Sequence, residues 1–544
     1  MPQTSRLLGL VVCLVLLAAS CAGLWWSTQW LWGVGVFGAL VLVGLYDLLQ
    51  RQHAVSRNYP VLAHIRYFLE SIGPEIRQYF IQPDTEEAPF SRLQRALVYQ
   101  RAKGVRDTRP FGTQIDVYAN DHEWMNHSIA PTRIDSHDFR IVVGEGRAQP
   151  YSASVFNISA MSFGALSGNA IRALNAGAKA GGFYHDTGEG SISVHHRANG
   201  GDLTWELGSG YFGCRNDDGS FSEEKFVANA ADPQVKMIEI KLSQGAKPGH
   251  GGVLPAAKVS AEIAAARGVP QGVDCISPAR HSAFSTPIGL LEFVDKLRTL
   301  SGGKPTGFKL AIGHPWEWFG IAKAMQQTGI LPDFIVVDGG EGGTGAAPAE
   351  FVDHLGVPLR EGLRLVHNTL VGLNLRDQIR IGAAGKITSA YELARTLALG
   401  ADWCNAARGF MFALGCIQSL SCHTDRCPTG VATQDPLRQK ALVVDTKAHR
   451  VARFHEHTLK ALKEMLEAAG LSHPQELGPE HIIMRVSPSQ AQSFASLYKF
   501  LKPGELLTGV PQDYPVFRTF WEAASPQAFA PPANMLALRA SKMV

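Results

Sequence analysis

Three cysteines crowd one short stretch, as Cys416-x5-Cys422-x4-Cys427-Pro428. Three thiolates on one winding loop suit an iron–sulfur cluster, and three ligands rather than four favour a three-iron cluster or a four-iron cluster with an open corner. His423 permits a Cys₃His zinc site instead, and cysteines that only pack are the third reading. Cys13, Cys21, Cys214, Cys275 and Cys404 show no ligand spacing and read as core or membrane residues.

Three glycine-rich stretches could hold a phosphate: Asp338-Gly-Gly-Glu-Gly342-Gly343-Thr344-Gly, Ala383-Ala384-Gly385-Lys386 and Ala407-Arg408-Gly409. Backbone N–H groups in such loops and at helix starts bind phosphate, and an arginine adds a forked contact. Turn geometry is the bland alternative for each alone. The run Lys241-Leu-Ser-Gln244-Gly-Ala-Lys247-Pro-Gly-His250 sets two lysines and a glutamine among glycines, where cations can hold carboxylates; a solvated loop competes. Lys309 interrupts the apolar run Phe308–Ala311. It must find a ligand or partner there, or snorkel at a strand end. His195-His196 reads as structural, on the expectation that neighbours on a strand face opposite ways.

The elements around these residues alternate. Short apolar runs, Val155–Ser159, Gly182–His185, Met237–Lys241, Val273–Ile276, Gly307–Ala311, Phe334–Asp338, Arg380–Ala383 and Trp403–Ala406, read as strands. Helical stretches separate most of them: Asn169–Ala180, Ala256–Arg267, Leu290–Leu300, Ile321–Thr328 and Ser389–Leu399. Eight such units predict a (β/α)₈ TIM barrel, whose active site lies in the loops after the strands. A doubly wound open sheet is the runner-up, but no dinucleotide fingerprint follows the first soluble strand. The expected organisation is a membrane hairpin in 1–50, an adaptor in 51–150, the barrel in 151–450 with its cysteine loop at 416–427, and a C-terminal helical extension in 451–544. The adaptor shows helical periodicity over Tyr67–Phe80, interrupted at Gly73-Pro74, and the extension an amphipathic helix near Arg450–Ala469.

No Asp, Glu, Lys or Arg occurs from Leu7 to Tyr46. A span needs ~20 apolar residues, so two helices are expected, Leu7–Leu24 and Leu31–Tyr46, contacting lipid through residues 7–46. The tryptophan-rich turn Trp25–Trp30 suits a membrane boundary. Arg6, Arg51, Arg57 and Arg66 put both ends, and the catalytic domain, on the cytoplasmic side of the inner membrane. A cleaved signal ending near Cys21 is the competing reading. The string Gly33-x-Gly35-x-x-Gly38 lies inside the apolar run and is chance. Lys+Arg minus Asp+Glu is 51 − 48 = +3 across 544 residues, too even a balance for nucleic-acid binding.

Four stretches carry a family resemblance: Phe156-Asn-Ile-Ser-Ala-Met-Ser-Phe-Gly-Ala-Leu-Ser167, Ile240-Lys-Leu-Ser-Gln-Gly-Ala-Lys-Pro-Gly249, Gly342-Gly-Thr-Gly-Ala346 and Gly415-Cys-x5-Cys-His-x3-Cys-Pro-x-Gly-Val-Ala-Thr-Gln434. In this order, over about residues 140–470, the chain resembles the FMN-binding synthase domain of glutamate synthases. The resemblance implies FMN beside a 3Fe–4S cluster in one barrel mouth, with 2-oxoglutarate over the flavin. It implies Cys416, Cys422 and Cys427 as cluster ligands. Met161, Ser162 and Gly164 would line the flavin, Lys309 would approach its ring, and Gly342, Gly343, Gly385 and Arg408 would hold its phosphate. Gln244, Lys247 and Arg267 would bind the oxo-acid, with Lys247 and Glu189 managing protons.

The implied activity is reductive amination of 2-oxoglutarate to glutamate, with hydride from FMN re-reduced through the cluster, an oxidoreduction of the CH–NH₂ type. The family's glutaminase and β-helix domains find no counterpart here, and its acidic residue after Lys-Pro-Gly is His250. Ammonia, an amine or a separate glutaminase is therefore expected to supply nitrogen. No nicotinamide site is evident, so a ferredoxin or a separate reductase is expected to supply electrons. The alternatives are an amine-transferring synthase with another substrate and a membrane-tethered flavin/iron–sulfur electron carrier.

Overall fold

The computed structural model describes residues 6–86 and 88–531. Residues 1–5 of the expected hairpin domain and 532–544 of the expected extension lie outside the described residues. The chain divides into two compact units, Met1–Arg92 and Leu93–Val544.

In the first unit, Leu8–Gly23 and Leu31–Leu49 form an antiparallel helical hairpin. Small residues let the helices approach: a Cβ on Gly33 would lie 2.6 Å from Ser20 Oγ, and one on Gly44 2.7 Å from Leu10 Cδ1. Leucines and valines on the outer faces, and Trp25, Trp26 and Trp32 around the turn, are exposed. The run Thr28–Leu49, at 22 residues, is long and apolar enough to cross a bilayer. Leu8–Gly23 has 16 residues, short of the ~20 that a perpendicular span needs. The helix expected from Tyr67 runs over Leu62–Ile76, passes through Pro74 and continues into a wider π turn at Arg77–Ile81. Proline costs one helical hydrogen bond here without ending the helix.

The second unit holds a closed barrel of eight parallel strands: β1 (Phe156–Ile158), β2 (His185–Asp186), β3 (Leu203–Leu207), β4 (Val235–Lys241), β5 (Thr306–Leu310), β6 (Phe334–Asp338), β7 (Arg380–Ala384) and β8 (Trp403–Ala406). Each pairs with its neighbours in chain order, and β8 returns to β1 through Cys404↔Phe156. Continuous apolar runs such as Phe-Ile-Val-Val suit strands covered on both faces.

Seven of the expected strands overlap the barrel, and Val273–Ile276 is a correction. Cys275–Ile276 pairs antiparallel with Val253–Leu254, in a ribbon inserted after β4. The missing barrel strand is β3, Leu-Thr-Trp-Glu-Leu, all five residues buried. The sequence reading does not name this segment as a strand; Glu206 in it is 2% exposed, and Lys309 neutralises it inside the barrel.

Side-chain caps fix where the crossover helices begin. Ser167 Oγ accepts from the Ala170 N–H at 3.1 Å, starting Gly168–Gly181. Ser389 and Glu392 form a reciprocal capping box ahead of Ala390–Ala398. The long helix Val444–Ala469 closes against Gly168–Gly181, where a Cβ on Gly177 would meet Val451 Cγ1 at 2.5 Å. Phe410 is the centre of this seam: its ring lies 5.3 Å from Phe156, 5.6 Å from Phe183 and 5.2 Å from Phe454. The flanks are not purely helical, since Glu123–Met125, Ile482–Ser487 and Gln490–Ser493 form an antiparallel sheet.

Phe410→Ala should remove the anchor between β1, the helix after β8 and the C-terminal helix. The expected loss is about 3–5 kcal/mol, read as a lowered denaturant midpoint of the full chain.

Candidate functional site

The loops after β1, β2, β4 and β6 interlock at the barrel mouth. Lys241 ends β4, and its Nζ lies 3.1 Å from Glu189 Oε2 in the loop after β2. Arg267 comes from the helix Ala261–Arg267, between the two strands of the inserted ribbon, and is 5% exposed. Its Nη2 donates to the Phe163 carbonyl at 3.2 Å, its Nη1 lies 3.6 Å from Cys275 Sγ, and the guanidinium sits 5.2 Å from the Phe212 ring centroid. Arg267 Nε is buried without an acceptor among the described residues. Gly190 is required beside it, because a Cβ there would lie 2.8 Å from Ser162 Cβ and 3.0 Å from Arg267 Nη2.

Lys247 is 8% exposed, and its Nζ donates to the Ala346 carbonyl at 3.4 Å. The same loop is tied to β6 by the Gly245 N–H, which donates to Asp338 at 2.9 Å. A Cβ on Gly245 would fall 1.7 Å from the Gly339 carbonyl oxygen, so the two loops touch through bare backbone. Met161 is buried, while Ser162 and Gln244 are half-buried. The mouth thus gathers Ser162, Gly164, Glu189, Lys241, Lys247 and Arg267.

Three cations face one carboxylate here. Burial raises the Glu189 carboxyl, but Lys241, Arg267 and Lys247 together hold it below its ordinary range. Burial lowers the Lys247 ammonium, Glu189 opposes that, and Lys241 adds to it. The same cluster thus keeps the Glu189 carboxylate charged and makes the Lys247 ammonium easier to deprotonate.

Below the mouth lies the opposite imbalance. Lys309 Nζ is hydrogen-bonded to Glu206, lies 3.1 Å from Glu239 and 4.0 Å from Asp186. All four residues are buried. The structure thus gives Lys309 three carboxylate partners. Burial lowers the Lys309 ammonium, yet Glu206, Glu239 and Asp186 outweigh it and carry its pKa well above the ordinary value. Burial pushes Asp186 and Glu239 up, against the pull of Lys309. Among the described residues, Asp186, Glu206 and Glu239 are the one group of three ligand-type side chains whose ligand atoms lie within 4.8 Å of one another. Lys309 already occupies that charge.

Arg408 opens the helix after β8 and joins two of the stretches singled out in the sequence. Its Nη2 donates to the Thr344 carbonyl at 3.1 Å, and its Nη1 lies 3.9 Å from Cys422 Sγ. Gly343 makes room for it, with a Cβ there 3.2 Å from Arg408 Nε. Gly385 faces Leu359 and the Glu341 carboxylate instead. Cys416 and Cys427 are buried and Cys422 half-buried. Lys258 Nζ donates to the Cys422 carbonyl at 2.9 Å and lies 3.9 Å from Asp425.

Burial raises the Cys416 thiol, and nearby Cys422 and Cys427 raise it further. Burial also raises Cys427, but the Thr429 hydroxyl and backbone N–H groups bring it below its ordinary value. The three sulfurs do not all lie within 4.8 Å of one another, wider than the ~3.8 Å sulfur–sulfur edge that a tetrahedral zinc with ~2.3 Å Zn–S bonds imposes. His423 is exposed. Arg408 and Lys258 are the cations that meet this loop, at the Cys422 sulfur and the Cys422 carbonyl.

His195 and His196 lie on the helical turn Val194–Arg197, not on a strand. His196 caps that turn with Ser193, and His195 stacks edge-on against Phe163 and meets Glu262 at 3.1 Å. The sequence reading passed over Glu206, Glu239, Asp186, Phe212 and His281. His281 lies 2.8 Å from the Lys241 carbonyl and 3.1 Å from Tyr211 Oη. The signal for the acids was available: like Lys309, Glu206 and Glu239 are charges set in apolar strands.

The conserved region in glutamate synthase matches residues 114–472. A glutamate synthase large subunit-like protein of Bacillus subtilis is 38% identical over 481 residues, covering 81% of this chain and 91% of that protein. The archaeal glutamate synthase (NADPH) of Methanocaldococcus jannaschii is 36% identical over 321 residues, 59% of this chain and 60% of that protein. The chain thus spans about three fifths of the archaeal relative's length. A mutant flavocytochrome b2 with pyruvate bound is a remote structural neighbour, with a TM-score of 0.40 at 11% identity over 81% of this chain and 96% of that one.

Lys309→Met should cost about 3–5 kcal/mol, as removal of one partner from a buried charge group does. Without the ammonium, Asp186 and Glu239 would be protonated in the folded chain at pH values where they ionise unfolded. Their stabilising contribution is full below the ordinary carboxylate range and lost as pH rises through their raised values. The deficit should therefore widen from acid toward neutral pH in melting curves, and Glu206→Gln in the Lys309→Met background should recover part of it.

Proposed function

The chain belongs to the glutamate synthase family, and from that premise we propose that it is a membrane-tethered oxidoreductase making glutamate from 2-oxoglutarate and ammonia or an amine. The observation that carries this reading is the convergence of Lys241, Lys247 and Arg267 on Glu189 in one barrel mouth. A surplus of buried cations needs an anion, and a dicarboxylate supplies one. FMN and a 3Fe–4S cluster are the cofactors of this reading; when bound, the flavin supplies hydride and the cluster relays single electrons.

The chain's own residues set up the chemistry. Arg267, with its Nε unpaired, and Lys247 would pin the substrate carboxylates, since fixed geometry supplies much of the rate. Gln244 would bind the oxo-acid beside them. Glu189, kept ionised by its cations, would accept a proton from the entering nitrogen, and Lys247 would return one. Met161, Ser162 and Gly164 would line the flavin and Lys309 would lie at the base of its site. Gly342, Gly343, Gly385 and Arg408 would hold its phosphate. Cys416, Cys422 and Cys427 would bind the cluster, and Arg408, touching both loops, supports placing the two groups side by side.

Residues 151–450 are the catalytic domain in this scheme, and the hairpin of residues 1–50 is its anchor. Arg6, Arg51, Arg57 and Arg66 put both hairpin ends and the barrel on the cytoplasmic side of the inner membrane. A ferredoxin or separate reductase would deliver electrons, and a separate glutaminase could deliver ammonia. A second reading, transfer of a larger amine, rests on His250, which is exposed and sits edge-on to Phe351 at 5.5 Å rather than presenting the family's acid.

The test is anaerobic reduction of the full-length protein followed by 2-oxoglutarate with ammonium, and then with a panel of amines. Flavin reoxidation that needs both substrates supports the reading. A cofactor-replete protein inert to every combination overturns it in favour of an electron carrier. Lys247→Ala should keep both cofactors but weaken the oxo-acid by about 1.5–3 kcal/mol, on the order of 10- to 100-fold in apparent affinity. Cys422→Ser should abolish the paramagnetic iron signal of the oxidised protein while leaving bound flavin.

A further inference from the structure

The helix Leu62–Ile76 carries an apolar face that the described residues of its own unit leave exposed. Leu62, Ile65, Phe68, Leu69, Ile72 and Ile76 fall within an arc of about 120° at 3.6 residues per turn. Four of these, Leu62, Ile65, Phe68 and Leu69, are exposed, and Tyr79, Phe80 and Ile81 extend the exposed surface past the helix end. Arg66 and Glu70 pair at 2.7 Å on another face.

The start of this helix is fixed to the open end of the hairpin. Asp47, in the last turn of Leu31–Leu49, is 1% exposed. It accepts the Val61 N–H at 3.0 Å, and His64 Nε2 lies 3.0 Å from both of its carboxylate oxygens. Val61 holds φ at +67°, a strained state for a β-branched residue. Val61 and Leu62 wedge against two glycines: a Cβ on Gly44 would lie 3.0 Å from Val61 Cγ2, and one on Gly9 2.7 Å from Leu62 Cγ. Residues 51–82 hold four arginines against two glutamates.

We propose that Leu62–Ile81 is a membrane-surface helix, its apolar stripe seated at the boundary between headgroups and acyl chains of an anionic bilayer. The proposal rests on the reading of the hairpin as membrane-inserted. A helix clamped at the end of a span, with an open apolar stripe and a local surplus of arginine, has the chemistry that binds such a surface. The clamp sets the helix at the level where the span leaves the bilayer, and Leu62, at the head of the stripe, lies against Gly9 of the first hairpin helix.

The test places a benzophenone amino acid at position 42, 68 or 70 of the full-length protein, in place of Leu42, Phe68 or Glu70. Each protein is reconstituted in bilayers of phosphatidylcholine with phosphatidylglycerol and irradiated, and its adducts are read by mass spectrometry. Lipid adducts at 42 and 68, with several-fold fewer at 70, are the expected result. Lipid at 42 but peptide adducts at 68, from this chain or a second copy, would overturn the surface helix and leave the hairpin standing. Absence of lipid at both 42 and 68 would remove the hairpin reading as well.

Discussion

Buried cations crowd the barrel mouth. Lys241, Lys247 and Arg267 act on the Glu189 carboxylate, Lys241 also acts on Asp338, and Arg267 and Lys247 are more than nine-tenths buried. Charges taken out of water need partners, and Glu189 and the Phe163 and Ala346 carbonyls supply them here. The glycines around it follow from the same constraint. Gly190 admits Arg267 next to Ser162, and Gly245 admits the backbone of the β6 loop, so the cations stand close enough to act on one small ligand.

Under the mouth the sign reverses. Asp186, Glu206 and Glu239 share Lys309, and Asp338 at the end of β6 lies near enough to raise its pKa further. The Lys309 charge is met by carboxylates from three neighbouring strands. A lysine held this firmly does not titrate near neutrality. Its contribution is a fixed positive charge, whereas burial makes the Lys247 ammonium easier to deprotonate.

What was legible in the sequence was what is local in the chain. The cysteine triplet, the glycine-rich loops and the Lys241–His250 run each declare themselves within a dozen residues. Strand–helix alternation was enough for a closed barrel, because apolar runs covered on both faces carry no competing pattern. The interior charge group was illegible for the opposite reason. Lys309 meets Glu206 across 103 positions of sequence, and no local pattern in Leu203–Leu207 names that partner. The same blindness let Val273–Ile276 stand in for a barrel strand, although it is an inserted ribbon. Phe212 and His281, which brace Arg267 and Lys241, are placed by the fold alone.

In the proposed reaction the cations at the mouth receive two carboxylates. Calorimetric binding of 2-oxoglutarate and of its one-carboxylate analogue 2-oxobutyrate to the oxidised, cofactor-loaded protein tests it most directly. The account predicts that the dicarboxylate binds tighter by about 1.5–3 kcal/mol, the worth of one charged hydrogen-bond contact. Equal affinity for the two, or no binding of either, would contradict it.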